Sequence, residues 1–366
     1  MNTHEQASNS DYPYNLIDGA TGVGVELTSS LEKLKSRILD KSIYIDERLE
    51  AYEDIIDSEV GDTSLVRARN TEREFSLRQI YLKFEGSNPT GTQKDRIAFA
   101  QCMDALRRGF DTITLATCGN YGVATALAST LAGIKCKIFI PENYHTKRVD
   151  EMTNYGAEII RRGNDYETSV DLSKETAKVN EWYDANPGGD NLIIQLKAYG
   201  EIAYEIYDEL RDAPAVVSTP LSNGTLLAGI YRGFVSLYRR GKTSKIPRMV
   251  AGSSFRKNPV IQAFLLNKTT CEDLNPSIIK ESIVNEPLIN WHSIDGDHAL
   301  EAIRITNGWA GDATDKDLTQ FAKMIRDREG ISVLPASTAG LIALLDNHKK
   351  NKLPSDRYVA VLTGRR

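Results

Sequence analysis

Short apolar runs alternate with longer amphipathic stretches through most of the chain. Runs of apolar and β-branched residues predict strands at 113–116, 136–140, 158–161 and 192–195. The stretches between these runs have the apolar spacing of helices, at 123–132, 147–155 and 166–183. Because strands that alternate with helices of about 10–15 residues are joined by right-handed crossovers, the pattern predicts an α/β fold with parallel strands.

A second set of the same units follows along the chain. It predicts strands at 215–218, 248–252 and 358–362, and helices at 226–238, 318–328 and 337–347. The repetition predicts two α/β lobes, with a ligand bound where the carboxyl ends of the strands converge.

The first 59 residues differ from the rest and predict an N-terminal helical extension. Apolar residues at helical spacing place a helix over 31–56. This extension is a docking arm or part of an oligomer interface, or it consists of helices that cover the main domain.

Composition narrows the class of protein. The chain has 366 residues, enough for two domains of about 150 residues or more. With 45 Lys and Arg against 50 Asp and Glu, the net charge of −5 gives no reason to expect nucleic acid or an anionic membrane as a partner. Residues 1–11 lack the features of a signal peptide, and the four scattered cysteines suit a reducing compartment. We therefore expect a cytoplasmic protein without a membrane span or a metal site.

The stretch 88–96 has the most informative chemistry, and it reads Asn-Pro-Thr-Gly-Thr-Gln-Lys-Asp-Arg. Its first four residues favour a turn, and apolar residues at helical spacing follow it. Lys94 therefore lies at the start of a helix, where the helix dipole lowers the pKa of an ammonium group. A deprotonated lysine amine is what Schiff-base chemistry requires, although a lysine at a helix start can also be an ordinary solvated residue.

Two other segments place a small polar turn between a predicted strand and a predicted helix. The first consists of Thr117, Cys118, Gly119, Asn120 and Tyr121, and the second of Ser222, Asn223, Gly224 and Thr225. Backbone N–H groups at such a turn can bind a phosphate or a carboxylate, but a plain strand-to-helix connection has the same pattern. Thr363 follows the strand 358–362, where a hydroxyl can meet a ligand. Together these groups suit pyridoxal phosphate, with one turn for its phosphate, the other for a substrate carboxylate, and Thr363 for its ring nitrogen.

At these residues the sequence resembles the fold-type II pyridoxal-phosphate enzymes, which include the tryptophan synthase β-chain, cysteine synthase, threonine dehydratase and threonine synthase. Residues 83–96 are closest to threonine synthase, whose pattern is Asn-Pro-Thr-Gly-Ser-Phe-Lys-Asp-Arg. The resemblance covers about residues 60–364. It implies a two-lobed fold, each lobe a mainly parallel sheet flanked by helices, in which Lys94 forms the internal aldimine with pyridoxal 5′-phosphate.

The resemblance also implies roles for the other candidate residues. The turn 117–121 becomes the substrate-carboxylate loop, with Asn120 also near the 3′-oxygen of the cofactor. Ser222, Asn223, Gly224 and Thr225 take the positions of the phosphate loop, and Thr363 bonds the pyridine nitrogen. In the family, a neutral hydroxyl there accompanies elimination and replacement rather than transamination. For a phosphorylated substrate, Lys83 and Arg96 are candidate ligands of the leaving group, and Arg96 is equally a candidate for a structural ion pair.

The sequence departs from the family pattern at positions that affect substrate choice. Gln93 replaces an aromatic residue before the lysine, and the phosphate loop keeps a single glycine. Tyr121 replaces a threonine whose hydroxyl can help to hold the substrate's phosphate in threonine synthase. A tyrosine at this position can still donate a hydrogen bond, but its ring also fills space.

The resemblance implies a lyase or synthase that acts on a β- or γ-substituted L-amino acid as its small-molecule substrate. The favoured instance is a threonine synthase-like reaction, a carbon–oxygen lyase reaction that converts O-phosphohomoserine to threonine and phosphate. The alternatives are β-replacement or β-elimination on a serine-derived substrate such as O-phosphoserine, and a non-catalytic interaction protein with this fold. We expect a homodimer with a large cofactor domain at 60–95 and 200–366, and a small domain at 96–199.

Overall fold

The computed structural model describes residues 16–17, 24–25, 29–117, 119–144 and 148–366. These residues form two compact units. Unit 1 contains the described residues up to Glu59 together with Gln101–Asn186, and unit 2 contains Val60–Ala100 and Pro187–Arg366. The described N-terminal helices are therefore part of unit 1.

The described helices and strands have the following bounds. The helices are α1 Ser29–Leu39, α2 Ile45–Glu59, α3 Arg69–Phe75, α4 Lys94–Arg107, α5 Asn120–Ala132, α6 Arg148–Asn154, α7 Tyr166–Asn180, α8 Leu192–Leu210, α9 Thr225–Arg239, α10 Pro259–Leu265, α11 Gly296–Ile305, α12 Asp315–Glu329 and α13 Ala339–Asn351. The strands are β1 Leu16–Ile17, β2 Gly24–Val25, β3 Leu65–Arg67, β4 Ile80–Phe84, β5 Thr112–Ala116, β6 Lys135–Ile140, β7 Glu158–Arg161, β8 Tyr183–Asp184, β9 Val216–Pro220, β10 Arg248–Ser254, β11 Trp309–Ala313 and β12 Tyr358–Leu362.

Unit 1 is built on a parallel sheet with the strand order β7-β6-β5-β8. Helix α5 follows β5, and nearly all of its side chains are buried. It ends at Gly133, which has a left-handed conformation with φ +69°.

The N-terminal helices cover α5 within unit 1. The Tyr52 hydroxyl of α2 donates a hydrogen bond of 2.9 Å to the Ala128 carbonyl, and the Leu39 side chain packs at Gly133. The single helix predicted over 31–56 is wrong because the chain turns after α1, where the Asp40 carboxylate accepts the Ser42 N–H at 2.8 Å. The reading in which the N-terminal helices cover a domain is therefore the one that the structure supports.

Unit 2 is built on a sheet with the strand order β11-β10-β9-β12-β4-β3. Only the edge strand β3 runs antiparallel to its neighbour, so the sheet is mainly parallel. Strands β9, β12 and β4 lie side by side in the same direction, which brings their carboxyl ends to one edge of the sheet. The chain segments that carry the candidate residues of this unit begin at those three ends.

The sheet of unit 2 packs its apolar side chains against helices. One buried cluster joins sheet residues such as Leu82 and Val250 to Ile325 of α12 and Leu344 of α13. The two mainly parallel sheets confirm the predicted α/β fold. No helix within the described ranges is both long and apolar enough to cross a lipid bilayer.

The strand predicted at 192–195 is wrong, since these residues open the long helix α8. A short apolar run fits a strand or a buried helix equally well. The residues that decide between them come later, because Leu196, Tyr199, Ala203 and Ile206 are buried at helical spacing.

Candidate active site

The turn before Lys94 is held by a buried carboxylate. Asp95 accepts the Thr90 N–H at 3.0 Å and the Thr90 hydroxyl at 2.9 Å, and Gly91 closes the turn with φ +84°. Burial raises the pKa of Asp95 to about 7, although the hydrogen bonds from Thr90 oppose this shift. The motif thus fixes the first residue of α4, which is Lys94.

The environment of Lys94 favours its neutral amine. Burial lowers the pKa of Lys94 to about 8, while the carboxylate of Asp295 acts in the opposite direction. About one lysine in ten is then uncharged at pH 7, compared with fewer than about one in a thousand for an unperturbed lysine. The pKa of Lys94 is therefore lowered, as expected, and the main cause is burial.

The Lys94 turn and Thr363 are tied together within unit 2. The Gln93 N–H donates a hydrogen bond of 3.0 Å to the Thr363 carbonyl. The Thr363 hydroxyl lies 3.1 Å from the Ser337 hydroxyl, and Ser337 also accepts the Gly364 N–H at 3.1 Å. Two of the candidate residues, far apart in sequence, are thus held in one place by direct contacts.

The loop after β9 has the properties of a phosphate cradle, a name used here for residues 222–225. Its four backbone N–H groups donate to no acceptor in the part of the chain that the structure describes, namely those of Ser222, Asn223, Gly224 and Thr225. The cradle leads into α9, whose dipole adds positive potential at this end. Unpaired N–H groups at a helix start suit a phosphate, so the cradle fits the group for which it was predicted.

Gly224 is required at its position in the cradle. Its φ of +99° lies in the region that favours glycine, and a Cβ atom there would lie 2.7 Å from the Asp295 carbonyl oxygen. The single glycine that the loop keeps is the one whose backbone needs it.

A second segment, residues 290–295, supports the cradle. The Asn290 side chain donates to the Asn223 side-chain oxygen at 2.6 Å, and the Ser293 hydroxyl donates to the Ser222 carbonyl at 3.3 Å. The Asp295 N–H donates to the Asn223 carbonyl at 3.1 Å. The sequence analysis missed this segment, which precedes a helix that was not predicted.

Asp295 makes one further contact with the cradle. It precedes α11 at the capping position but forms no side-chain cap, an interaction that is generally worth about 1 kcal/mol. Its carboxylate instead accepts the hydroxyl of Thr225. The aspartate before the buried apolar residues Ala299, Leu300 and Ile303 was the available sequence signal for this helix start.

Lys83 and Arg96 belong to a buried ion cluster in unit 2, formed with Glu85 and Glu205. The Glu205 carboxylate lies 2.5 Å from the Lys83 ammonium and 2.6 Å from the Arg96 guanidinium. Glu85 lies 2.6 Å from Arg96 on its other side. Both cations are engaged by carboxylates of the chain itself, an arrangement that favours the ion-pair alternative for Arg96. Their contact with a substrate's phosphate stays a prediction.

The other predicted turn lies in unit 1, and Cys118 is outside the described residues. Gly119 precedes α5 as its N-cap residue, and Thr117 is buried just before it. The side-chain oxygen of Asn120 accepts a hydrogen bond of 2.5 Å from Arg148, a cation that the sequence analysis did not single out. Since arginine only donates, this contact turns the amide N–H₂ of Asn120 away from Arg148.

Tyr121 is directed into unit 1 itself. The residue is 5% exposed, and its hydroxyl lies 2.8 Å from the Ala185 carbonyl and also contacts the Gln101 side chain. The hydrogen bond that the Tyr121 hydroxyl donates is thus used inside unit 1, and a role of this residue toward the substrate stays a prediction.

Comparisons with known proteins agree with this site. Residues 56–364 match the family described as pyridoxal-phosphate dependent enzyme. The chain is 28% identical to the threonine synthase of Methanocaldococcus jannaschii over 83% of its own length and 74% of the relative's. It is 26% identical to the threonine synthase of Halalkalibacterium halodurans over 83% and 82% of the two lengths.

A solved structure shows the same fold. The structure of maize serine racemase superposes with a TM-score of 0.72 at 18% identity, covering 92% of each chain. The match to the family spans most of the chain, and the amine and the cradle of unit 2 fit its cofactor, pyridoxal phosphate. The chain therefore belongs to the family of pyridoxal-phosphate dependent enzymes.

Proposed function

We propose that this enzyme catalyses elimination or replacement on a β- or γ-substituted L-amino acid, and that its reaction is the conversion of O-phosphohomoserine to threonine and phosphate. One observation carries the proposal. In unit 2, a lysine with a pKa of about 8 occurs together with Thr363 and a cradle of unpaired N–H groups. The threonine synthase relatives support the choice of substrate.

Lys94 has two tasks in this proposal. Its neutral amine attaches the cofactor, which when bound withdraws electrons from the Cα of the substrate. Once the substrate has displaced it, the same amine removes the Cα proton as a general base. Both tasks need an uncharged amine near neutral pH, which the burial of Lys94 supplies.

Thr363 and the cradle have supporting roles. The cradle N–H groups hold the phosphate of the cofactor, with Gly224 at the position where the backbone must be left-handed. The Thr363 hydroxyl bonds the ring nitrogen without a formal charge, and its contact with Ser337 fixes its direction. A neutral partner leaves the ring a weaker electron acceptor than a carboxylate would, which favours elimination and replacement.

The substrate's carboxylate is assigned to the turn in unit 1. The turn leads into α5 at Asn120, and the start of a helix is the end at which its dipole attracts an anion. The Asn120 amide remains a donor because Arg148 holds its oxygen.

A second candidate reaction is β-replacement or β-elimination on a serine-derived substrate such as O-phosphoserine. The specific observation in its favour is that Lys83, Arg96 and Tyr121 all bond within their own units. These residues were the sequence's candidates for holding a substrate's phosphate, and a serine-derived substrate without a phosphate does not need them.

The test is to incubate the holoenzyme with O-phospho-L-homoserine and to measure phosphate and threonine together. Equal amounts of both products, absent with the Lys94→Ala variant, are expected. A parallel reaction with O-phospho-L-serine gives pyruvate or a β-substituted alanine if the second candidate is correct. No threonine from O-phospho-L-homoserine, together with neither pyruvate nor a β-substituted alanine from O-phospho-L-serine, would overturn both assignments if the protein retains the visible absorbance of its cofactor.

A further inference from the structure

The carboxyl group of Asp295 is a buried acid that touches the phosphate cradle. We propose that Asp295 takes up a proton from solvent when the phosphate of the cofactor binds, and thereby sets the pH range in which the apoenzyme captures its cofactor. The inference rests on the proposed function in one respect, the assignment of residues 222–225 to that phosphate.

The hydrogen bond between Thr225 and Asp295 shows why the proton matters. An ionised carboxylate can only accept, so the Thr225 hydroxyl donates its proton to Asp295. In this state the hydroxyl has no proton to offer to a phosphate in the cradle. A protonated Asp295 can donate to the Thr225 oxygen, and the Thr225 hydroxyl is then free to donate to the phosphate.

The backbone prevents the carboxyl group from moving away from the cradle. Asp295 donates its N–H to the Asn223 carbonyl, and its own carbonyl is packed against Gly224. Only 3% of the residue is exposed, so water cannot screen its charge from an anion in the cradle. An ionised Asp295 and a phosphate dianion would therefore repel each other at close range.

The charged and titratable groups around Asp295 come from several elements. Lys94 of α4 and the exposed His298 of α11 favour the ionised form, as does the hydrogen bond from Thr225. Burial is the largest influence, and it raises the pKa of Asp295. Tyr199 of α8 interacts electrostatically with Asp295 as well. Burial thus shifts the acid toward its neutral form, and two further negative charges in the cradle shift it in the same direction.

The test uses the apoenzyme and 4′-deoxypyridoxine 5′-phosphate, a probe that has the phosphate but no aldehyde to react with Lys94. Calorimetric titrations in two buffers of different ionisation enthalpy count the protons taken up on binding. We expect the wild type to take up as much as one proton more than the Asp295→Asn variant when the probe binds. As the pH rises, the affinity of the wild type for the probe should fall by up to tenfold per pH unit relative to the affinity of that variant. Glu301→Gln, an exposed change of equal charge on α11, is the matched control and should behave as the wild type.

A second variant and a second probe serve as further controls for the role of Asp295. Thr225→Val removes the hydroxyl but keeps the acid, so proton uptake should persist with weaker binding. With 4-deoxypyridoxine, which lacks the phosphate, wild type and Asp295→Asn should bind alike. Equal proton uptake by these two proteins with the phosphate probe would overturn the role of Asp295 and leave the proposed reaction intact. Failure of the probe to bind the wild type would overturn the cradle assignment itself.

Discussion

The buried ion cluster of unit 2 gives a direct test of what Lys83 does. In the cluster two cations, Lys83 and Arg96, balance two carboxylates, Glu85 and Glu205, so that its net charge is zero. Burial alone would raise the pKa of Glu205, but the hydrogen bonds and charges of Arg96 and Lys83 lower this pKa to about 2. The change Glu205→Gln leaves one uncompensated positive charge, and Lys83→Met leaves one negative charge.

The magnitude follows from the burial of these groups. Lys83 is 1% exposed, and removal of one partner from a buried pair generally costs about 3–5 kcal/mol of unfolding free energy. We expect Glu205→Gln to lower the melting temperature by roughly 6–20 °C. The double variant Lys83→Met/Glu205→Gln restores a neutral cluster, with Arg96 still paired to Glu85. It should therefore be more stable than the sum of the two single changes predicts, by roughly 1–3 kcal/mol.

The assay combines thermal unfolding with steady-state kinetics on the same four proteins. The ion-cluster account predicts a large loss of stability for the single variants and a KM that changes little below the melting temperature. A Lys83→Met variant of unchanged stability and greatly raised KM would refute this reasoning and return Lys83 to the substrate site.

Three further predictions concern the candidate residues. At saturating cofactor, the rate at which the cofactor becomes covalently attached should rise roughly tenfold per pH unit below pH 8 and level off above pH 8, because the neutral fraction of Lys94 follows a pKa of about 8. Stopped-flow absorbance measures this rate, and a constant rate from pH 6 to pH 9 would contradict the prediction. Tyr121→Phe should cost about 1 kcal/mol in urea unfolding, because the hydrogen bond that its hydroxyl donates to the Ala185 carbonyl is lost. A large rise in KM at unchanged stability would show instead that the hydroxyl serves the substrate. Gly224→Ala should weaken cofactor binding roughly tenfold or more in an absorbance titration. The control is Gly241→Ala, which should bind the cofactor normally, because position 241 also has a positive φ but a Cβ atom added there meets nothing within 4 Å. Equal affinities of the two variants would contradict the cradle geometry.

The sequence predicted those features that depend on local patterns. The turn before Lys94 and the turn between β9 and α9 follow from the preferences of neighbouring residues, and the structure contains both of them. The run 192–195 was misread because four residues do not distinguish a strand from a helix.

What the sequence could not predict depends on contacts between distant residues. Lys83 and Arg96 looked available because their partner Glu205 lies more than a hundred residues further along the chain. Asp295 gave a weak signal as a helix start, but its contact with Thr225 follows only from the packing of α11 beside the cradle. Whether a polar side chain is free to meet a ligand is decided by tertiary structure.

The central claim is that Lys94 attaches the cofactor, and chemical trapping tests it most directly. The holoenzyme is reduced with borohydride, digested, and analysed by mass spectrometry for a lysine that carries the reduced cofactor. The account predicts that the label is on Lys94 and that Lys94→Ala, still folded by circular dichroism, has neither the label nor the visible absorbance. A label on another lysine, or unchanged absorbance in the variant, would contradict the account.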